Sequence, residues 1–118
     1  MLTLDHRLDL RVPIDMLLNK YIAGMPHVCR ASNISRGGML VHKLLEPESR
    51  TDLVGLQFQL PGQDRIITAA GRIVYQHQWV RATGVRFTNL SEEHRELVER
   101  YILDRMDWKR VLGEEQTG

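Results

Sequence analysis

The chain has 118 residues, 42% hydrophobic and 26% charged. That is enough for one domain that buries roughly two thirds of the surface its unfolded chain exposes, without disulfide or metal. A formal net charge of +1 excludes a polyanion-coating protein held by bulk charge, so any anionic ligand needs locally placed cations. The single cysteine, Cys29, permits no internal disulfide and suits a reducing setting. Residues 1–11 contain Asp5, His6, Arg7 and Asp9 and hold no apolar signal core, and no window approaches 18 consecutive apolar residues. A soluble, cytoplasmic protein without a membrane span is the expectation.

Leu8, Leu10, Val12, Ile14 and Met16 alternate with Asp9, Arg11, Pro13 and Asp15, which predicts a first strand with one buried face. Pro13 cannot donate to a ladder and places that strand at an edge or points the proline outward. A second strand is expected over His27–Ser32, a polar turn over Asn33–Gly38 and a third strand over Met39–His42. Leu44–Asp52, with Pro47 and Ser49, reads as an exposed connection. Val54, Leu56, Phe58 and Leu60 alternate with Gly55, Gln57 and Gln59, and Pro61–Gly62 ends that fourth strand with a turn. A fifth strand is predicted over Arg65–Gln76 with a bulge or bend at Gly71, and a sixth over Val80–Phe87.

At Leu90 the apolar period changes from two to about 3.6. Ser91 is the N-cap candidate, Glu92 and Glu93 suit the positive end of a helix dipole, and Leu97, Val98, Tyr101, Ile102 and Met106 form one stripe. The helix is predicted from Glu92 to about Val111, ending near Gly113. Six antiparallel strands followed by one helix favour a small barrel, closed or half-closed, with the helix across one opening.

Catalytic patterns are missing from this order. Cys29 has only His27 nearby, and the five histidines, His6, His27, His42, His77 and His94, show neither helical metal spacing nor a Cys/His cluster. Gly37–Gly38 is not followed by Gly-Lys-Ser/Thr, so it is no phosphate loop of the Walker type. No enzyme, metal or cofactor is expected. Two other features remain: Arg7 and Arg11, four residues apart, and Asn33, Ser35 and Gly38 in the pattern Asn-x-Ser-x-x-Gly. Taken singly, the arginines read as solvated charge and the pattern as a turn bonding its own backbone.

Together, Arg7-Leu-Asp-Leu-Arg11 and Asn33-Ile-Ser35-Arg-Gly-Gly38 resemble the signature of the PilZ domain, a bacterial receptor module for cyclic di-GMP. Gly71–Tyr75, Gly84–Phe87 and Leu90–Glu93 are similar to the closing strands and terminal helix of that family. The resemblance implies a six-stranded antiparallel barrel capped by a C-terminal helix, in a stand-alone chain of one domain over 1–118. Within it, residues 1–11 would be a flexible arm, 12–88 the barrel, 91–112 the helix and 113–118 a frayed tail.

The resemblance further implies a ligand site of Arg7, Arg11, Asn33, Ser35 and Gly38. Arginine suits the chemistry, because its planar fork takes guanine O6 and N7 or a phosphate in two bonds at once. Asn33 offers a donor and an acceptor to a guanine edge and Ser35 a hydroxyl, while Gly38, with Gly37, would allow close backbone approach or positive φ. Many family members carry aspartate where this chain has Asn33, so weaker binding is expected here. Secondary candidates are His6, Arg36, Gly37, Tyr75 and Arg86, with core packing the leading reading for Tyr75 and hairpin cover for Trp79. The implied output runs through an unidentified effector protein, with a monomer favoured by the charged helix surface around Arg100, Asp104 and Lys109. Two rival readings are a protein-interaction module that binds no nucleotide and a small barrel for single-stranded nucleic acid; 6% aromatic residues and the charge of +1 disfavour the latter.

Overall fold

The computed structural model describes residues 11–44, 52–77 and 81–106, the side chain of His77 apart. Six strands precede one helix: β1 (Val12–Ile22), β2 (Met25–Ser35), β3 (Gly38–Lys43), β4 (Leu53–Gln59), β5 (Ile66–His77), β6 (Ala82–Leu90) and α1 (Glu92–Arg105). The strands form a closed antiparallel barrel in the order β1-β2-β3-β6-β5-β4, with β4 returning to β1 through Asn19, Lys20 and Tyr21. Closure gives every described strand a neighbour on both sides.

The inward row follows the period of two. Val12, Ile14, Met16, Leu18, Lys20 and Ile22 of β1 are buried, whereas Pro13, Asp15 and Leu17 are exposed. Pro13 therefore points outward, as the first strand required. That strand is longer than the pattern from Leu8 to Met16 suggested: it continues to Ile22, and Leu8 and Leu10 lie outside the described residues. Its turn onto β2 is Ala23–Gly24, with φ of 50° and 81°, the left-handed pair whose twist matches a two-residue hairpin. The polar turn expected over Asn33–Gly38 is shorter too. β2 continues through Ser35, only Arg36–Gly37 turn, and β3 starts at Gly38. Ladder pairing of Asn33 with Leu40 and of Ser35 with Gly38 keeps both polar residues in the strand.

The Gly71 bulge is present as a register shift against β6, and a second shift lies between Ile73 and Tyr75. Phe58 and Phe87 stack at 6.3 Å in the interior. The helix adds Val98, Tyr101 and Ile102 to the core, each contributing roughly 1.5–3 kcal/mol by burial. Ser91 caps it by accepting from the His94 backbone N–H at 3.1 Å. Polar ties hold it to the barrel: Gln63 donates to the Leu97 carbonyl at 3.1 Å, and Arg65 pairs with Glu93. The helix ends at Arg105, short of the expected Val111, because Met106 leaves helical space at ψ 126°. Residues 107–118, including the expected tail, lie outside the described residues.

Candidate functional site

The hairpin between β2 and β3 is held by its own serine. The Ser35 hydroxyl accepts from the Gly37 N–H at 3.2 Å and faces the Gly38 carbonyl at 3.4 Å. The Phe87 N–H donates to the Gly37 carbonyl at 2.8 Å, tying the turn to β6. Gly38 itself pairs with Arg86 of β6, and a Cβ there would overlap the Val85 carbonyl oxygen. The close approach expected of Gly38 is thus strand against strand. Its φ is not positive, and a Cβ on Gly37 would meet nothing within 4 Å, so the two glycines do not share a role.

Two cross-strand rows cover this outer face. One runs Pro13, Asn33, Leu40, Gly84, Tyr75, and the next Ser35, Gly38, Arg86, Arg72. Arg11 enters the first row from one end: its Nη1 donates to the Tyr75 hydroxyl at 3.1 Å, 64 residues away in sequence. Within that row Asn33 is half-buried, and its Oδ1 is buried with no hydrogen-bond partner. An orphaned acceptor of this kind costs about 1–3 kcal/mol until a donor reaches it. Arg72 and Arg86 are both exposed and directly opposite one another. Arg11, Asn33, Ser35, Gly38, Tyr75 and Arg86 are therefore brought onto one face, with Arg36 half-buried in the adjoining turn. Arg7, His6 and Trp79 lie outside the described residues.

Tyr75 is not a core residue. It is half-buried on the outer face, displaced from the inward phase by the register shift after Ile73. Sequence reasoning missed Arg72 for the same reason: the extra residue at Val74 lets Arg72 and Tyr75, three apart, both face outward. Cys29 is fully buried in the core, His42 Nε2 lies 2.9 Å from Ser32 Oγ, and His94 contacts the backbone of Thr68. Among the described residues no three His, Cys, Asp or Glu side chains gather as metal ligands, and no helix is long and apolar enough to cross a membrane.

A sequence model described as the PilZ domain matches residues 5–104. The chain belongs to the PilZ domain family. Among solved structures, the PilZ domain of CeSA from a cellulose-synthesizing bacterium superposes with a TM-score of 0.62 at 15% identity, over 80% of this chain and 96% of that one. The Bacillus subtilis inhibitor of motility MotI/DgrA gives 0.65 at 15% identity, over 81% of this chain and 49% of that one. Borreliella burgdorferi PlzA, solved in complex with c-di-GMP, gives 0.60 at 21% identity, over 79% and 39%. This PilZ chain thus spans about half of MotI/DgrA and less of PlzA, and at these identities the likeness is one of fold. No curated protein matches the sequence.

Proposed function

We propose that this PilZ domain protein is a non-enzymatic receptor for cyclic di-GMP, which it binds on the outer face of β2, β3 and β6. The observation that carries the reading is the Asn33 Oδ1 atom, buried and unsatisfied in the same row as Tyr75, the partner of Arg11. A guanine edge offers N–H donors to such an acceptor once the Asn33 side chain turns to meet it, and the ligand's two phosphodiesters need the cations beside it. Membership of the family and the c-di-GMP complex of PlzA support the choice of ligand.

In this reading Arg7 and Arg11 clamp the ligand, Asn33 and Ser35 form the floor, and Gly38 holds β3 close to β6 beneath it. Ser35 reaches the ligand only by sharing or exchanging the bonds it makes to its own turn. The segment that carries Arg7 closes as an arm, at roughly 1–2 kcal/mol of backbone entropy per ordered residue, and charge-assisted hydrogen bonds exceed that cost. The closed arm then presents a new surface to an effector protein in the cytoplasm.

Isothermal titration calorimetry tests this directly, with cyclic di-GMP titrated into wild type, Arg11→Ala and Asn33→Ala, and GTP as control. Saturable heat in wild type, a large loss in both variants and none with GTP is the expected result. Absence of wild-type binding would overturn the reading and favour a module that recognises protein alone.

A further inference from the structure

Three arginines on the barrel surface have partners of different kinds. Arg30 pairs with Asp15 and Arg65 with Glu93, both carboxylates. Arg11 instead donates to the neutral hydroxyl of Tyr75. The difference matters for a side chain that must take an anion. A carboxylate partner compensates the guanidinium charge, whereas a phenol oxygen takes one of five N–H donors and leaves that charge uncompensated.

The position of Tyr75 is itself prepared by a glycine. Tyr75 pairs with Gly84 across β5 and β6. A Cβ on Gly84 would overlap the tyrosine ring, whose Cδ1 lies 2.7 Å from where that atom would sit. The ring therefore lies flat over the β6 backbone in a place only glycine leaves open. Pro13 of β1 and Tyr75 of β5 stand at the two ends of one cross-strand row, and the Arg11–Tyr75 bond joins those ends. Asn33 and Leu40 stand in that same row.

We infer that Tyr75 is a positioning residue for Arg11: seated on Gly84, its hydroxyl holds the guanidinium over the Asn33 row in the free protein while leaving the fork and its charge for the ligand. The inference rests on the receptor reading for its ligand, and it adds that the site is organised beforehand. An arginine side chain carries considerable rotamer freedom, and a group already held loses less of it on binding, which appears as affinity.

Two measurements test it. In the ligand-free protein, 15N relaxation of the Arg11 Nε–Hε group should show a restrained guanidinium in wild type and a released one in Tyr75→Phe. Equal mobility in the two overturns the inference whatever the ligand. In calorimetry with cyclic di-GMP, Tyr75→Phe should weaken binding about three- to tenfold, the worth of one hydrogen bond. Adding it to Arg11→Ala should cause no further loss, because the hydroxyl acts through that arginine. A full, additive loss in the double variant would mean that Tyr75 touches the ligand independently and would overturn the positioning role. Gly84→Ala, which unseats the ring without removing the hydroxyl, should mobilise Arg11 as Tyr75→Phe does. Failure of wild type to bind, with Arg11 still restrained by Tyr75, would count against the receptor reading and leave the clip established.

Discussion

At single residues, the structure separates positions that look alike in sequence. Gly37 and Gly38 are neighbours in the motif, yet only Gly38 faces a backbone oxygen, that of Val85. Gly38→Ala must push β3 from β6 and should cost about 1–3 kcal/mol, as overpacking does. Gly37→Ala should stay within about 0.5 kcal/mol, the range of unconstrained surface changes. Thermal denaturation of the two variants checks this, and equal melting temperatures would refute the assignment. Asn33 carries the complementary prediction for binding. Asn33→Asp replaces a neutral acceptor by a charged one facing guanine donors, so cyclic di-GMP should bind about 1 kcal/mol more tightly, roughly fivefold. Unchanged or weaker binding in calorimetry would mean that Asn33 does not meet the guanine edge.

Among the elements, the helix is the most separable. Its first turn is fixed by Ser91 and its middle by Val98, Tyr101 and Ile102. Ser91→Ala should cost about 0.5–2 kcal/mol through the lost cap, and Ile102→Ala about 2–5 kcal/mol through the cavity it leaves. Urea denaturation that ranked them in the opposite order would show that the cap, rather than the core stripe, holds the helix on the barrel. The start of this helix was legible because capping chemistry and apolar period agree at Ser91. Its end was not: the first glycine after the stripe is Gly113, while the backbone leaves helical space at Met106. The β1–β2 hairpin was hidden in a similar way. Lys20 occupies an inward position and is fully buried, and Leu17 is outward, so the alternation looks broken from Leu17 onward although its phase never changes. Ala23–Gly24 is also a weak turn signal beside Asn-Gly or Asp-Gly. The motif is a pattern within the sequence itself, but the partnership of Arg11 with Tyr75 was not legible there, since 64 residues and two register shifts in β5 separate pattern from contact.

For the molecule as a whole, a net charge of +1 conceals an uneven arrangement. Arg72 and Arg86 stand opposite one another on β5 and β6, both exposed, beside the row that holds Asn33, Tyr75 and the Arg11 contact. Like charges directly opposite in a sheet are destabilising, by about 0.2–1 kcal/mol. A chain with fifteen acidic residues to place against sixteen basic ones has no compositional reason to set two arginines together. A dianionic ligand supplies one, because it relieves the repulsion when it binds. Removing one member should therefore act in opposite directions on stability and on binding. Arg86→Ala should raise the melting temperature of the free protein slightly while weakening cyclic di-GMP binding. It should also flatten the dependence of the binding constant on salt, since one ionic contact fewer is screened. Asn33→Ala should weaken binding and leave that salt dependence unchanged, because the bond it removes is neutral on the protein side. Calorimetry over a range of salt concentrations, with melting curves of the same three proteins, distinguishes the outcomes. If Arg86→Ala left both stability and salt dependence as in wild type, the paired arginines would be ordinary surface charge, and the anion site would end at Arg11.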